Sequence, residues 1–441
     1  IMPAQQNAPA SPGNISKFKI SSNVSDKALD LSGGVVEFRY YESVLSNNIT
    51  ATAVVVDSGY EGDAGAVKSS KGVLDSLPIR GGERTDIAVE DNIGNKLKFK
   101  DGLYVNRVRD ADPGTQKDVF FVDFASKEFF ANEQQRVMQR FEGKISEHVK
   151  EIIETIDGEF EQLDNTSLSY NFIGNDRKPF YTCTWLASKA VPDKDVGSRA
   201  GFLFYQTRDG FNFRSIDKLF EQDPVKTFIF NNTGETPPEV NANVLSYSID
   251  QDVDLKQNLT LGTYNNRSIY FNPFSMDYYV KEYKYIPENL GSAGRFFGGD
   301  MVADEFTLSP TRLMSHVFDV GTMPNGTGND QFDQWKSAKT DPNYDAENTM
   351  AQSVMRYNQM FSVKTNVTIA ADYSIKAGDI VKCKFPEVRG DRKDGTNPQT
   401  DGIYMVASVC HRVTSRDSFT RLALVRDSFG TKSGYKSSST Y

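Results

Sequence analysis

The chain has 441 residues, a length sufficient for about three domains that each bury a core of their own. Hydrophobic residues make up 38% and charged residues 25%, the balance of a folded chain, which argues against wholesale disorder. The formal net charge of −9 argues against a general nucleic-acid binder, because phosphate contacts require clustered lysine and arginine.

Two further absences in the sequence narrow the class of protein. No apolar run approaches the roughly 20 residues of a membrane-spanning helix, and no signal peptide opens the chain, so we expect no membrane insertion. The cysteines are few and odd in number, at Cys183, Cys383 and Cys410. This pattern predicts a reducing compartment and no disulfide framework.

The N-terminal part of the chain is rich in strand patterns. Residues 1–16, with Pro, Ala, Gln and Asn, predict an extended arm, and residues 17–125 a first β-barrel domain. Both alternating sets of side chains in residues 49–56 are apolar enough for a strand buried on both faces or nearly so. The Gly/Ser/Lys segment 58–72 predicts a long exposed loop of the kind that carries contacts.

Helical periodicity appears in residues 126–225, which we assign to an inserted α+β module. Isoleucine and valine positions between residues 145 and 156 share one helical face, which places His148 on the solvated face and argues against a role as a ligand. A second helix is predicted to begin at Pro179. An Asp-Gly turn at residues 209–210 predicts a hairpin, followed by a short helix that Ser215 caps.

The remaining chain predicts a second β-barrel domain that is interrupted. Residues 226–260 begin this barrel, residues 346–430 complete it, and residues 431–441 form a C-terminal tail. Between them, residues 261–345 have weak periodicity and predict a long insertion or interface segment.

The second barrel contains the clearest local patterns. Helical spacing over residues 346–360 precedes the cleanest strand alternation in the chain, over residues 361–369. The charged loop 389–400 and the two termini are, with the loop 58–72, the candidate contact segments.

The two β-domains share four elements in the same order. A Gly-acid turn comes first, at residues 82–83 and 378–379, and an Asp-Gly entry into a strand follows, at residues 101–102 and 401–402. A hairpin turn comes next, at residues 110–114 and 415–418, and an apolar strand closes each copy, at residues 119–123 and 422–425. Asp-Gly alone is uninformative, but the ordered coincidence favours a duplicated β-domain.

The candidate chemical sites are weak. Cys383, Cys410 and His411 suggest a metal site, but neighbouring strand residues point to opposite faces, so residues 410 and 411 do not meet one ion easily. His411 shares a face with Val409 and Val413, which favours a structural histidine. With three histidines, no phosphate loop and no dinucleotide fingerprint, we expect no catalytic residue, no metal and no cofactor.

Three segments resemble the central baseplate hub protein of contractile-tailed bacteriophages. They are the closing segment 375–427, the helix and alternating strand of residues 345–369, and the hairpin segment 204–216. The resemblance covers most of residues 17–427 in the order of elements, while residues 261–343 match nothing in that family.

The resemblance implies an α+β, β-rich fold with two related tube-like antiparallel β-barrel domains and the inserted α+β module. It implies a homotrimer whose six barrels form a pseudo-sixfold ring that joins the trimeric central spike to the hexameric tail tube. The implied setting is the virion tail baseplate, among other baseplate proteins, after assembly in the bacterial host cytoplasm.

Further expectations and alternatives accompany this interpretation. We expect no sequence-specific nucleic-acid binding, and a ring lumen that DNA must pass should not bind phosphate, which the acidic balance fits. One alternative is a tail-associated cell-wall-degrading hydrolase with its site in residues 261–343. Another is the homologous hub of a related injection machine.

Overall fold

The computed structural model describes residues 13–57, 77, 79–113, 118–167, 169–193, 200–230, 242–250, 254–273, 276–284, 303–317, 346–386 and 400–427. Within these ranges the strands are β1 (Asn14–Ser21), β2 (Ala28–Asp30), β3 (Val35–Ser43), β4 (Thr50–Asp57), β5 (Arg84–Glu90), β6 (Lys96–Lys98), β7 (Leu103–Pro113), β8 (Asp118–Ala125), β9 (Arg140–Phe141), β10 (Phe160–Leu163), β11 (Phe172–Ile173), β12 (Phe202–Thr207), β13 (Gly210–Ser215), β14 (Lys226–Phe230), β15 (Asn243–Asp250), β16 (Asn265–Asn272), β17 (Asp277–Lys284), β18 (Arg312–Val317), β19 (Val363–Ala370), β20 (Ile380–Lys384), β21 (Gly402–Thr414) and β22 (Ser418–Arg426). The helices are α1 (Lys127–Gln134), α2 (Ile145–Glu154), α3 (Pro179–Ala187), α4 (Ile216–Glu221), α5 (Leu255–Thr260) and α6 (Ala346–Met360).

Most of the predicted contact segments lie outside the described residues. These are the loop 58–72, residues 389–399 of the charged loop, residues 1–12 of the arm and the tail 431–441. Strand β1 begins at Asn14, so the last three residues of the predicted arm, 14–16, belong to this strand. No helix among the described residues is long and apolar enough to cross a membrane.

Six strands of the C-terminal part close into a barrel. They pair in the order β21–β20–β14–β15–β19–β22, and β22 pairs back to β21. Side chains from alternate positions fill its interior, as Val363, Val367 and Ile369 of β19 do, which confirms the predicted alternation. One strand departs from the expected antiparallel arrangement, because β14 runs parallel to both of its neighbours.

The N-terminal strands form the first barrel, in the order β1–β5–β7–β8–β4–β3, and the C-terminal barrel is the second. No ladder among the described residues joins β1 to β3. Instead, the Leu31 N–H donates to the Phe18 carbonyl at 2.8 Å, and the Phe18 and Phe38 rings meet edge to face with centroids 6.3 Å apart. This barrel is therefore closed on one side by its core rather than by strand pairing.

Two local expectations for the first barrel are corrected. The strand over residues 49–56 buries one face, with Ala51, Ala53 and Val55 inside, while Thr50 is exposed and Thr52 half-buried on the other face. The turn predicted at residues 110–114 is wrong for residues 110–113, because β7 continues through Pro113.

The two barrels have the same strand order, and the ladders among β7, β8, β4 and β3 have the same register as those among β21, β22, β19 and β15. They differ at the first strand, because β1 is antiparallel to β5 whereas β14 is parallel to β20. Strands β1, β3, β4, β5, β7 and β8 correspond in pairing to β14, β15, β19, β20, β21 and β22. Thr50 pairs with Ala125, and at the equivalent position Lys364 pairs with Val425. A bulge follows the first pair of the β3–β4 ladder and also of the β15–β19 ladder. The duplication inferred from turn chemistry is therefore present in the pairing itself.

The repeated Gly-acid turn makes the same hydrogen bonds in both barrels. The Gly82 N–H donates to Val105, and the Val105 N–H returns to Glu83, at 2.6 and 2.9 Å; Gly378, Val406 and Asp379 repeat this pattern at 2.9 and 2.8 Å. Both glycines have positive φ, +81° and +92°, which a side chain would strain. Glycine in this turn is therefore a backbone requirement.

One ladder joins the two barrels into a continuous sheet. Strand β3 of the first barrel pairs antiparallel with β21 of the second, from Ser43 opposite Ser408 to Glu37 opposite Thr414. The first barrel also takes Ala371 and Tyr373, which follow β19, into its core. The two barrels are thus fixed relative to one another by backbone hydrogen bonds and by shared packing.

The α+β module lies between the barrels in sequence and packs on them in space. Helix α3 begins at Pro179, β12 and β13 form the predicted hairpin, and the Ser215 hydroxyl caps α4 by accepting from the Lys218 N–H at 3.1 Å. Side chains of the module and the second barrel share an apolar cluster that includes Tyr205 and Met405.

The expectation for His148 is wrong. The predicted apolar face of α2 is buried, but His148 is only 2% exposed, and its Nε2 lies 2.9 Å from the Tyr170 carbonyl and 3.1 Å from that of Gly143. Burial lowers its pKa. The loops carrying Gly143 and Tyr170 cover the His148 side chain, while Lys150, Glu151 and Glu154 on the same predicted face remain exposed.

Part of the interval predicted as an insertion or interface segment is a small sheet. Within residues 261–345, β16 pairs with β17 antiparallel and with β18 parallel. Tyr270 of β16 is fully buried in the core of the α+β module. This sheet therefore packs on the module.

A buried carboxylate ties the module to both barrels. Glu42 of β3 accepts from the Tyr40 hydroxyl at 2.7 Å, and from the N–H groups of Arg208 and Ala377, each at 3.0 Å. Glu42 is 2% exposed, and burial raises its pKa. Three structural units thus share one acceptor group.

Replacing Glu42 should destabilise the chain strongly. In Glu42→Ala, three donors lose their acceptor, two of them buried and the Arg208 N–H partly buried, and we expect a loss of about 3 kcal/mol in the free energy of unfolding. Urea unfolding followed by circular dichroism measures this change. Glu90→Ala, which removes only a surface contact with Lys96, is the control, and an equal effect in both variants would contradict this role for Glu42.

Asp379 predicts a pH dependence of stability. Its pKa is raised from 3.8 to about 6, chiefly by burial. Between these values the folded state binds more protons than the unfolded state, so the contribution of Asp379 to stability falls as pH rises through this interval. In Asp379→Asn this position no longer titrates. The free energy of unfolding of the variant minus that of the native chain should therefore increase from pH 4 to pH 7, by up to about 3 kcal/mol. Parallel urea midpoints that change identically with pH would contradict this expectation.

Candidate interaction surface

The continuous sheet presents a concave, solvent-facing surface at the junction of the barrels. The outward side chains of this surface, which alternate with the barrel-core positions, belong to β7, β8, β4, β3, β21, β22, β19 and β15. We call this surface the concave face. A groove of about 650 Å³ runs across it at the β3–β21 junction. Its lining includes Tyr41, Ser43, Thr50, Asn366, Ser408 and Arg421.

Two carboxylates on the concave face are each held by a pair of arginines. Glu37 contacts Arg39 and Arg412, the latter at 2.8 Å across the ladder between the barrels. Partial burial acts to raise the pKa of Glu37, but the hydrogen bonds from Arg412 and Arg39 hold it below its usual value. Asp123 lies 3.4 Å from Arg107 and 3.0 Å from Arg109.

Basic side chains outnumber acidic ones on this face among the described residues. The basic ones are Arg39, Arg107, Arg109, Lys364, Arg412 and Arg421, and the acidic ones are Glu37 and Asp123, while Asp112 and Asp250 occupy strand positions in register with this face. The net charge of −9 therefore resides elsewhere in the chain. If this face lines a passage, the expectation that an acidic lumen repels phosphate does not hold for it.

Two strand edges, one in each barrel, remain without a strand partner in the described part of the chain. The β5–β7 ladder covers only Leu103 and Tyr104 of β7, and the β14–β15 ladder covers only Asn243 and Val244 of β15. After Tyr104 of β7 and after Val244 of β15, no described strand lies beside the edge that these ladders occupy. Unpaired edges of this kind are templates for pairing with another chain.

The predicted structural histidine is confirmed. His411 is fully buried beside Val413, its Nδ1 lies 2.9 Å from the Thr420 hydroxyl, and its ring stacks on Tyr40 with centroids 6.1 Å apart. Burial, helped by the charge of Arg208, lowers the pKa of His411 to about 3. The imidazole is therefore neutral throughout the physiological range.

The structure separates the residues of the suggested metal site. Cys383 is buried in the second barrel, where burial raises its pKa, and Cys410 lies on the opposite side of β21 from His411. The described residues contain no group of three or more His, Cys, Asp or Glu side chains that could hold a metal ion. The expectation that the chain has no catalytic or cofactor residues stays a prediction.

The functional geometry missed by sequence reasoning lies in three places: Glu42, the β3–β21 ladder and the concave face. A carboxylate at an inward position of an otherwise apolar strand was the available signal for Glu42. The outward alternate positions of β3 and β21 give the charge of the concave face only once their pairing is known.

Comparisons with known proteins show the fold. No family model matches the chain, and no curated protein matches it. The chain is similar in structure to the 43 kDa tail protein of prophage MuSo2 from Shewanella oneidensis, with a TM-score of 0.51, 9% identity, and coverage of 93% of this chain and 98% of that one. It is also similar to the tail protein from Neisseria meningitidis MC58, with a TM-score of 0.51, 10% identity, and coverage of 96% and 100%. The chain has the fold of these phage tail proteins over nearly its whole length.

Proposed function

We propose that this protein is the structural hub of a contractile phage tail baseplate. Three copies form a ring of six barrels that joins the trimeric central spike to the hexameric tail tube. The observation that carries the proposal is the duplication: two barrels with the same strand order, and with the same register in four of their strands, occur in one chain and are joined by a ladder. Three such chains present six nearly equivalent units on one side and three identical units on the other.

The similarity to phage tail proteins supports the setting of this proposal. The partners we propose are the central spike, the tail tube and other baseplate proteins, and the loops 58–72 and 389–400 with the two termini are the proposed contact segments. The assembly takes place in the host cytoplasm, and the product is part of the virion.

The concave face fits a passage whose charge is mixed rather than uniformly acidic. Glu37 and Asp123 each neutralise part of the charge of two arginines. A phosphate backbone passing such a face meets basic groups that are already hydrogen-bonded, which weakens sequence-independent retention. We propose no sequence-specific nucleic-acid binding.

The solution mass of the purified chain tests the trimer. Light scattering should give three times the chain mass of 49.3 kDa for the chain alone, or that mass plus the mass of the bound spike in the co-expressed preparation. A mass of one chain in both would remove the purpose of the duplicated barrel and overturn the hub proposal.

A peptidoglycan-hydrolysis assay on the same samples tests the alternative of a cell-wall hydrolase. We expect no release of soluble fragments at protein concentrations where a known muramidase control is complete. Clear activity of this chain alone would contradict a purely structural role. In that case, truncation of residues 261–345 would locate the site.

A further inference from the structure

The two strands with unpaired edges, β7 and β15, are the counterparts of β21 and β3, the two strands whose ladder joins the barrels. Strand β21 pairs with β20 through Met405 and then, from Ser408 onward, with β3. Its counterpart β7 pairs with β5 through Tyr104 and has no described strand beside the stretch that follows. Likewise, β3 pairs along one edge with β21, whereas the same edge of its counterpart β15 has no described strand beside it after Val244.

The repeated register identifies equivalent residues in these strands. Val105 and Val406 make the same hydrogen bonds with the Gly-acid turns, and a bulge follows each of them, which makes Arg109 the equivalent of Cys410. Both residues pair next with equivalent positions of the closing strands, Phe121 and Arg421.

The same argument applies to the other edge. Tyr41 pairs with Thr50, and Asp250 pairs with Lys364, at equivalent positions of the β3–β4 and β15–β19 ladders. Because Cys410 lies opposite Tyr41 in the ladder between the barrels, the equivalent pair between two chains is Arg109 with Asp250.

We propose that β15 of one subunit pairs antiparallel with β7 of the next copy of this chain, with Asp250 opposite Arg109 of the neighbour. This inference rests on the proposed trimeric hub and deepens it by naming the contact between subunits. The pairing repeats the β3–β21 ladder, so the continuous sheet runs from barrel to barrel around the ring. Each subunit contributes its β15 edge to one neighbour and its β7 edge to the other, so the contact is heterologous. Every edge has a partner only when the ring closes.

Charge supports this register. It places an arginine opposite an aspartate on adjacent strands, and unlike charges in directly opposed positions stabilise an antiparallel pair. The register is carried only as far as residue 110, because β7 has a second bulge after Arg109 that β21 lacks.

Cysteine cross-linking of the full chain tests the contact and its register. We expect the variant with Arg109→Cys and Asp250→Cys, in a Cys410→Ser background, to give disulfide-linked species that end at three subunits. A control with Arg109→Cys and Ser248→Cys shifts the register by two and should give about tenfold less product, because the thiols are then too far apart. Co-expression of the two single variants Arg109→Cys and Asp250→Cys should give linked dimers, which shows that the bond joins different chains.

An internal positive control exists in the same molecule. Tyr41→Cys places a thiol opposite the native Cys410 in the ladder between the barrels and should form a bond within one chain under the same oxidation. Failure of this control would require a short bifunctional thiol reagent in place of oxidation for all variants.

The outcomes separate the contact from the hub proposal. A trimer by light scattering in which the 248 variant links better than the 250 variant would overturn the register. A trimer in which neither pair links would overturn the edge pairing but leave the hub proposal intact, while a monomer would overturn the hub proposal itself. As an independent measurement, Asp250→Arg should shift trimer dissociation to higher protein concentration than Asp250→Asn does, and equal shifts would contradict the pairing with Arg109.

Discussion

The ladder between β3 and β21 is the constraint on which the rest of the structure depends. It converts two barrels into one sheet, and it fixes their relative rotation through backbone hydrogen bonds rather than through a flexible linker. Glu42 lies at the end of this ladder and accepts from groups of the module and of the second barrel. A carboxylate buried in this way is tolerated only because three donors converge on it, so the junction also specifies where the module lies.

Turn chemistry made half of this architecture predictable from the sequence. The Gly-acid turn needs a residue at positive φ, followed by an acceptor side chain, and both requirements leave a visible trace at residues 82–83 and 378–379. Alternation identified β19, and Pro179 and Ser215 marked the start of two helices. These features are local, because each depends on residues that are neighbours in the chain.

The features that escaped prediction depend on contacts between distant segments. The parallel direction of β14 is set by β20, which lies about 150 residues further along the chain. His148 is buried because loops carrying Gly143 and Tyr170 cover its side chain. The charge of the concave face likewise follows from which strands are adjacent, since Glu37 and Arg412 meet only across the ladder between the barrels. A net charge for the whole chain contains no information about any one of its surfaces.

The duplication is close where the strands meet and incomplete elsewhere, and this difference suits a symmetry adaptor. The ladders that would face a common passage share their register, including the bulges of β3 and β15. The opposite sides of the barrels differ, because the turn at Gly378 packs on Tyr205 of the module, and the equivalent Gly82 has Asn23 as its neighbour instead. In a ring of three such chains, the sheet would repeat six times while the module would repeat three times. In the proposed hub, selection for the sixfold contact would act on backbone register and turn geometry, and changes in the module could serve threefold partners while leaving the sheet intact.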